Sequence, residues 1–207
     1  MAATATAAHG VAALDEEDRL RADLYRLLAR ALLSPPDAAF LRALADLKGD
    51  TSPLGQAFAA LARVALRTSE AQARDEHDAL FVGMGTRGEV LPYASYYLTG
   101  FLHEKPLAAL REDMEARGIE RAANVSEPED HLGAICEMMA GLIDGAYGAP
   151  AALPEQRGFF ERHLGPWAAH FFKDMEGAEA SRLYQPIGRI GRLFVGIEED
   201  AFSMEGA

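Results

Sequence analysis

The chain has 207 residues, with 20 basic and 32 acidic side chains and a formal net charge of −12. Its length suits one domain, and 49% apolar with 25% charged residues is the composition of a chain able to bury a core. The acid excess argues against a nucleic-acid partner, because phosphate neutralisation needs clustered lysine and arginine, and it leaves a cationic partner open.

Residues 1–13 have neither a basic n-region nor a long apolar h-region, so they read as a flexible tail and not as a secretory signal. Apolar residues then recur at helical spacing nearly throughout, and alternating β-branched runs are scarce. The fold class expected is all-α: one compact helical domain over residues 14–198, with about nine or ten helices and a bundle-like core. A first helix is expected over 16–33, capped by Asp15, with Leu20, Leu24, Leu27, Leu28 and Leu32 as its apolar stripe. Ser34-Pro35-Pro36 stops it. A short helix carrying Phe40, Leu41, Leu44 and Leu47 ends at Gly49, and a third starts with Ser52 as cap and Pro53 in its first position. Residues 70–82 form a fourth, leading into the glycine loop 83–88.

An aromatic stretch over 92–101 follows, then a helix over 106–117 closed by Gly118, and a polar, exposed connection over 119–125. Ser126 and Glu129 have capping-box spacing at the head of a long helix bearing Leu132, Ile135, Met139, Leu142 and Ile143. The Ala/Gly/Pro-rich residues 145–154 form a hinge loop. Pro154 opens the next helix and Gly165-Pro166 breaks it. The last helical region, about 179–197, is expected to kink or split at Pro186, with a frayed acidic tail over 199–207. No uncharged apolar run approaches the roughly 20 residues of a membrane-spanning helix, and a cytoplasmic location is expected.

Most candidate chemistry has a plain structural reading. Gly83-Met84-Gly85-Thr86-Arg87-Gly88 satisfies G-x-G-x-x-G but follows a helix, without the βαβ context that dinucleotide binding needs, so a turn is the better reading. The six histidines include no Glu-x-x-His and no i, i+4 pair, so neither a metal nor another cofactor is expected. Cys136 is the one cysteine, which excludes an intrachain disulfide and a cysteine-based metal cage and fits a reducing compartment. On an apolar helix side it reads as a buried, inert thiol. Hydrolase elbows and phosphate-cradling loops are absent, so no enzyme is expected.

Two clusters stand out. In Leu91-Pro92-Tyr93-Ala94-Ser95-Tyr96-Tyr97, three tyrosines flank a serine; tyrosine suits a peptide groove, and core packing uses it equally well. In Ser126-Glu127-Pro128-Glu129-Asp130-His131, acidic residues in a first turn offset the helix dipole, which leaves His131 unexplained. A carboxylate beside an imidazole at a helix mouth suits an arginine-bearing peptide.

At these clusters the chain resembles the TorD/DmsD family of cytoplasmic maturation chaperones for molybdenum-cofactor oxidoreductases, with the nitrate reductase assembly chaperones as relatives. Leu80-Phe81-Val82-Gly83 followed by Pro92-Tyr93-Ala94-Ser95-Tyr96-Tyr97 resembles the family's "LFvG … PYxSxY" segment. Glu127-Pro128-Glu129-Asp130-His131-Leu132 resembles its "E-P-x-D-H" signature, and residues 159–167, ending His163-Leu164-Gly165-Pro166-Trp167, its "F-x-x-x-H-L-x-P-W" segment. The resemblance implies an all-helical, non-enzymatic chaperone that holds the twin-arginine signal peptide of a partner enzyme until its cofactor is inserted. By the same resemblance Tyr93, Ser95, Tyr96, Glu127, Asp130 and His131 line the peptide site. A monomer and a domain-swapped homodimer both fit, the 145–154 hinge permitting exchange. Two alternatives are a small metal-dependent hydrolase using Asp130 and His131, and a structural assembly subunit of an oxidoreductase.

Overall fold

The structure, a computed structural model, describes residues 14–83, 88–121, 125 and 127–204. Among them are ten α-helices and no β-strand: α1 (Glu16–Leu33), α2 (Ala38–Ala45), α3 (Pro53–Ala65), α4 (Glu70–His77), α5 (Ala94–Thr99), α6 (Lys105–Ala116), α7 (Leu132–Asp144), α8 (Leu153–His163), α9 (Ala168–Gly177) and α10 (Tyr184–Met204). The all-α expectation holds. None of these helices is long and apolar enough to cross a membrane.

Local capping sets several boundaries where the sequence placed them. Asp15 accepts the Asp18 N–H at 2.8 Å, and Ser52 accepts the Gly55 N–H at 3.0 Å with Pro53 opening α3. Ser69 and Gln72 form a reciprocal capping box on α4. The segment expected over 70–82 divides into α4 and a π-helical turn, Asp78–Val82. No strand precedes the glycine loop; its residues 84–87 lie outside the described residues, as do 1–13 and 205–207.

α1 lies chiefly against α7, while α10 packs on α9 and α3. Close approach is built in with glycine. A Cβ on Gly133 of α7 would fall 2.6 Å from Leu33 Cγ, and one on Gly191 of α10 would fall 2.4 Å from the Phe172 ring. Trp167, Tyr25, Tyr184, Phe159, Phe160, Phe171 and Phe172 are the large side chains fully enclosed in the core.

Five expectations are corrected, two of them on α10. Leu20 is 59% exposed, whereas Leu28 and Leu32 of the expected stripe are buried, Leu24 and Leu27 are half-buried against the core, and Ala22, Tyr25, Ala29 and Ala31 complete the buried face. A stripe drawn through large residues alone overlooks the alanines through which helices pack most closely. Second, α2 ends at Ala45, so Leu47 lies beyond it, half-buried against the core. Third, Pro186 neither kinks nor splits α10, because it falls in the first turn, where a missing N–H leaves no bond unmade. Fourth, α10 continues to Met204 with Phe202 buried against Phe160 at 5.2 Å, so 199–204 are helix where a tail was expected. Fifth, Ile119 in the connection after α6 is buried; its N–H bonds Met114 O at 2.9 Å past the left-handed Gly118.

A polar knot ties the chain's two ends. Glu198 of α10 is 2% exposed and takes Arg21 Nε and Nη2 at 2.8 and 2.9 Å, with the Tyr25 hydroxyl donating at 3.0 Å. A second knot joins α6 to α8, where Asp113 meets Arg162 and His163. In the 145–154 loop, Gly145 and Gly148 adopt positive φ, and the Ala151 N–H bonds Leu142 O at 2.8 Å.

Candidate functional site

Residues 92–95 and 127–132 are far apart in sequence and are stitched together in space. Tyr93 and His131 form an isolated antiparallel bridge. The Leu132 N–H donates to Pro92 O at 2.7 Å and the Ala94 N–H to Asp130 O at 3.0 Å. The Asp130 carboxylate accepts the Ser95 N–H at 2.8 Å. α5 has no capping side chain of its own, and Asp130 supplies the cap from across the clasp.

His131 caps the other helix. Its Nδ1 accepts the Gly133 N–H at 3.0 Å, so α7 begins at Leu132 with His131 as N-cap. This corrects the capping box expected at Ser126 and Glu129: Ser126 lies outside the described residues, and Glu129 sits in a turn before the helix. Glu129 instead takes Arg111 at 2.7 Å and Arg121 at 3.7 Å. Burial opposes its ionisation, but the Arg111 hydrogen bond holds its carboxyl below the usual range. Pairing across the clasp holds the chain extended through His131 and delays the helix.

Five of the six expected site residues therefore meet, with different duties. Ser95, Asp130 and His131 are buried and engaged with backbone groups; the Ser95 hydroxyl accepts the Glu104 N–H at 3.2 Å. Tyr93 lies edge-on to the His131 ring at 5.3 Å, and its hydroxyl donates to the exposed Glu127 carboxylate. Burial, then Glu127, pushes the Tyr93 hydroxyl well above the ordinary phenol range, so it stays a donor. Burial lowers His131 to about 4, with His77 adding to the shift, so the ring is neutral and its Nδ1 free to accept. Tyr96 lies elsewhere. It lines a cleft of about 420 Å³ together with Tyr97, residues 88–91, Lys173 and Asp174. Tyr97 donates to Asp174 at 2.8 Å and packs on Trp167 at 5.4 Å.

Beside the clasp, between α7 and the connection after α6, opens a pocket of about 170 Å³. Leu33, Met114, Ile119, Ala134, Met138 and Tyr147 give it apolar walls, and Glu120, Glu127 and Glu137 also line it, as do Glu129 and its partner Arg121. Glu137 is the residue that the sequence reading missed. It is the one charged side chain in the apolar run 132–143, and that isolation is the signal that could have found it. It has no hydrogen-bond or ion-pair partner among the described residues, and burial raises its carboxyl above the usual range, Arg26 opposing.

Asp130 and His131 are each committed to a backbone N–H, which disfavours a hydrolase built on the pair. Cys136 is buried, and burial pushes its thiol far up, so it is no nucleophile. Among the described residues no group of three or more His, Cys, Asp or Glu side chains is placed to hold a metal ion.

Replacing Asp130 with alanine is expected to cost about 1–3 kcal/mol of stability, the penalty for stranding the buried Ser95 N–H. Asp130→Asn should recover part of it, since the amide oxygen still accepts. Identical urea midpoints for Asp130→Ala and wild type would mean that this cap contributes nothing.

Fold and site together define an all-helical scaffold in which one turn caps two helices and an acid-edged apolar pocket opens beside it. The family model described as "Nitrate reductase delta subunit" matches residues 47–173, and the chain belongs to that family, which takes in the TorD chaperones. The chaperone protein TorD of Vibrio cholerae serotype O1 is 33% identical over 116 residues, 53% of each chain. This chain thus spans about half the length of that relative. The chaperone protein TorD of Aeromonas salmonicida is 26% identical over 172 residues, 80% of this chain and 77% of that one. A protein of Archaeoglobus fulgidus whose solved structure was assigned as a redox enzyme maturation protein shares the fold. It has a TM-score of 0.57 and 23% identity, over 86% of this chain and 94% of that one.

Proposed function

We propose that this protein is a cytoplasmic maturation chaperone without turnover. It binds the twin-arginine signal peptide of a molybdenum-cofactor oxidoreductase precursor and holds it until the cofactor is inserted, before export. The observation that carries this reading is the pocket beside the clasp, where apolar walls and the carboxylates of Glu120, Glu127 and Glu137 adjoin. A signal peptide offers two guanidinium groups next to an apolar stretch, and a receptor needs both chemistries in one place. Met114 and Met138 adapt to varied apolar side chains. Tyr93 orients Glu127, while Ser95, Asp130 and His131 hold the turn from which Glu127 projects. Tyr96 lines the separate cleft with Tyr97 and Asp174. The name of the TorD relatives supports the chaperone role, and the net charge of −12 favours encounter with a basic peptide.

Calorimetric titration with a peptide bearing an arginine pair and an apolar stretch is expected to show saturable binding. Affinity should fall about tenfold or more when the pair becomes Lys-Lys, because lysine lacks the planar fork, and similarly for the double variant Glu127→Gln, Glu137→Gln. Affinity unchanged by both would overturn the assigned site. Capture of the precursor and not of the mature enzyme separates a chaperone from a structural subunit.

A further inference from the structure

A second kind of site lies on a different face, where α3, α4 and the turn before α10 enclose a cleft of about 690 Å³. In so acidic a chain, arginines readily find carboxylates. Ten do so within 4.0 Å: Arg19, Arg21, Arg26, Arg30, Arg111, Arg117, Arg121, Arg157, Arg162 and Arg192. Of the six other arginines among the described residues, three line this one cleft: Arg63 in the last turn of α3, Arg67 in the turn just beyond it, and Arg182 from the turn before α10.

Two carboxylates share the cleft and do not pair with these arginines. Glu76 is engaged elsewhere, its Oε1 accepting the backbone N–H groups of Arg182 at 2.6 Å and Tyr184 at 2.8 Å. That contact fixes the turn that carries Arg182. Asp75 lines the cleft with no ion-pair partner among the described residues. Gln72 adds uncharged donors: its Oε1 is held by Ser69 in the capping box, which turns the amide nitrogen to other use. Ala60, Val64, Ala79 and Ala180 keep the remaining wall small and apolar.

We propose that this cleft binds a phosphate-bearing small molecule, its phosphate on Arg63, Arg67 and Arg182 and its organic body along the alanine-lined wall. Guanidinium forks match tetrahedral oxyanions with paired N–H donors, which three arginines not engaged in ion pairs leave available. The volume exceeds that of inorganic phosphate and falls in the range of small-ligand sites, roughly 300–1,000 Å³. The site shares no residue with the peptide pocket, so the two readings stand or fall separately.

The test is titration of the full chain with pyrophosphate and, in a second arm, with inorganic phosphate. Pyrophosphate is expected to bind saturably and more tightly than phosphate, with affinity falling as salt rises. Arg67→Ala and Arg182→Ala should each weaken it about tenfold, the loss of one charge-assisted contact. Both side chains are exposed, so the variants should fold as wild type by circular dichroism, and the affinity for a twin-arginine peptide should not change. Absence of saturable pyrophosphate binding at millimolar concentration, or binding that survives both substitutions, overturns the proposal. A variant that loses an acidic protein partner while pyrophosphate binding stays intact overturns it also, and marks the arginines as a protein-docking face.

Discussion

Alanine in place of Asp113 is expected to destabilise the fold by about 3–5 kcal/mol, the cost of removing one member of a buried charge network. Asp113 of α6 is 9% exposed and faces α8. Its two carboxylate oxygens accept from Arg162 Nη1 at 2.7 and 2.8 Å, His163 Nε2 lies 2.7 Å away, and Arg117 stands at 3.2 Å. Burial alone would raise this carboxyl, but the His163 hydrogen bond and the guanidiniums of Arg117 and Arg162 hold it below the ordinary range. Without Asp113 the half-exposed Arg162 can turn to water. His163 cannot, being 5% exposed and fixed in the turn where the Trp167 indole N–H donates to its carbonyl at 2.7 Å. Arg162→Ala therefore should cost less than about 1 kcal/mol, as for an exposed partner. Urea denaturation of the two variants decides the matter: if Asp113→Ala costs no more than Arg162→Ala, the buried imidazole is not what the carboxylate supports.

Acidification is the second large effect. His131 titrates near 4 in the folded protein because burial disfavours its charged form, against 6.5 for the ordinary imidazole. Between those values the unfolded chain takes up a proton that the folded chain refuses, so each step down in pH favours unfolding. This contribution is fully present above about pH 6.5 and is lost as pH falls towards 4, a total of about 3 kcal/mol from this one residue. The cap is lost at the same step. Protonated Nδ1 would present a hydrogen to the Gly133 N–H it now accepts. His77 adds to the same trend: it is buried, and burial lowers its pKa although Asp78, 3.5 Å from its Nδ1, opposes the shift. Urea midpoints at pH 7 and pH 5 should differ clearly in wild type and less in His131→Asn, since asparagine is a good N-cap that does not titrate. A wild-type midpoint that stays level between those pH values would contradict a buried, neutral His131.

The second prediction turns on a residue whose type is conspicuous in the sequence and whose duty is not. Asp130 and His131 drew attention as a carboxylate beside an imidazole, a pattern that suits a cation site. Each instead satisfies an orphan N–H at the start of a helix, α5 and α7 respectively. Glu127, with an identical carboxylate two residues before Glu129, stays exposed and accepts from the Tyr93 hydroxyl. Which of three neighbouring carboxylates faces solvent depends on the clasp with residues 92–95, and no local rule reaches across that separation.

The sequence by itself determined the helical class, most helix boundaries and the family, because these follow from spacing, caps and motifs read within a few residues. Asp15, Ser52-Pro53 and Ser69 act on their own first turns, so their effect is written where they stand. Only the tertiary structure decided which face of α1 is buried, that Pro186 lies in a first turn and that Glu137 borders a pocket. It also decided that Arg63, Arg67 and Arg182 share a cleft. Those outcomes depend on which helices meet, and close packing through alanine and glycine leaves little hydrophobic signal in the chain to announce them.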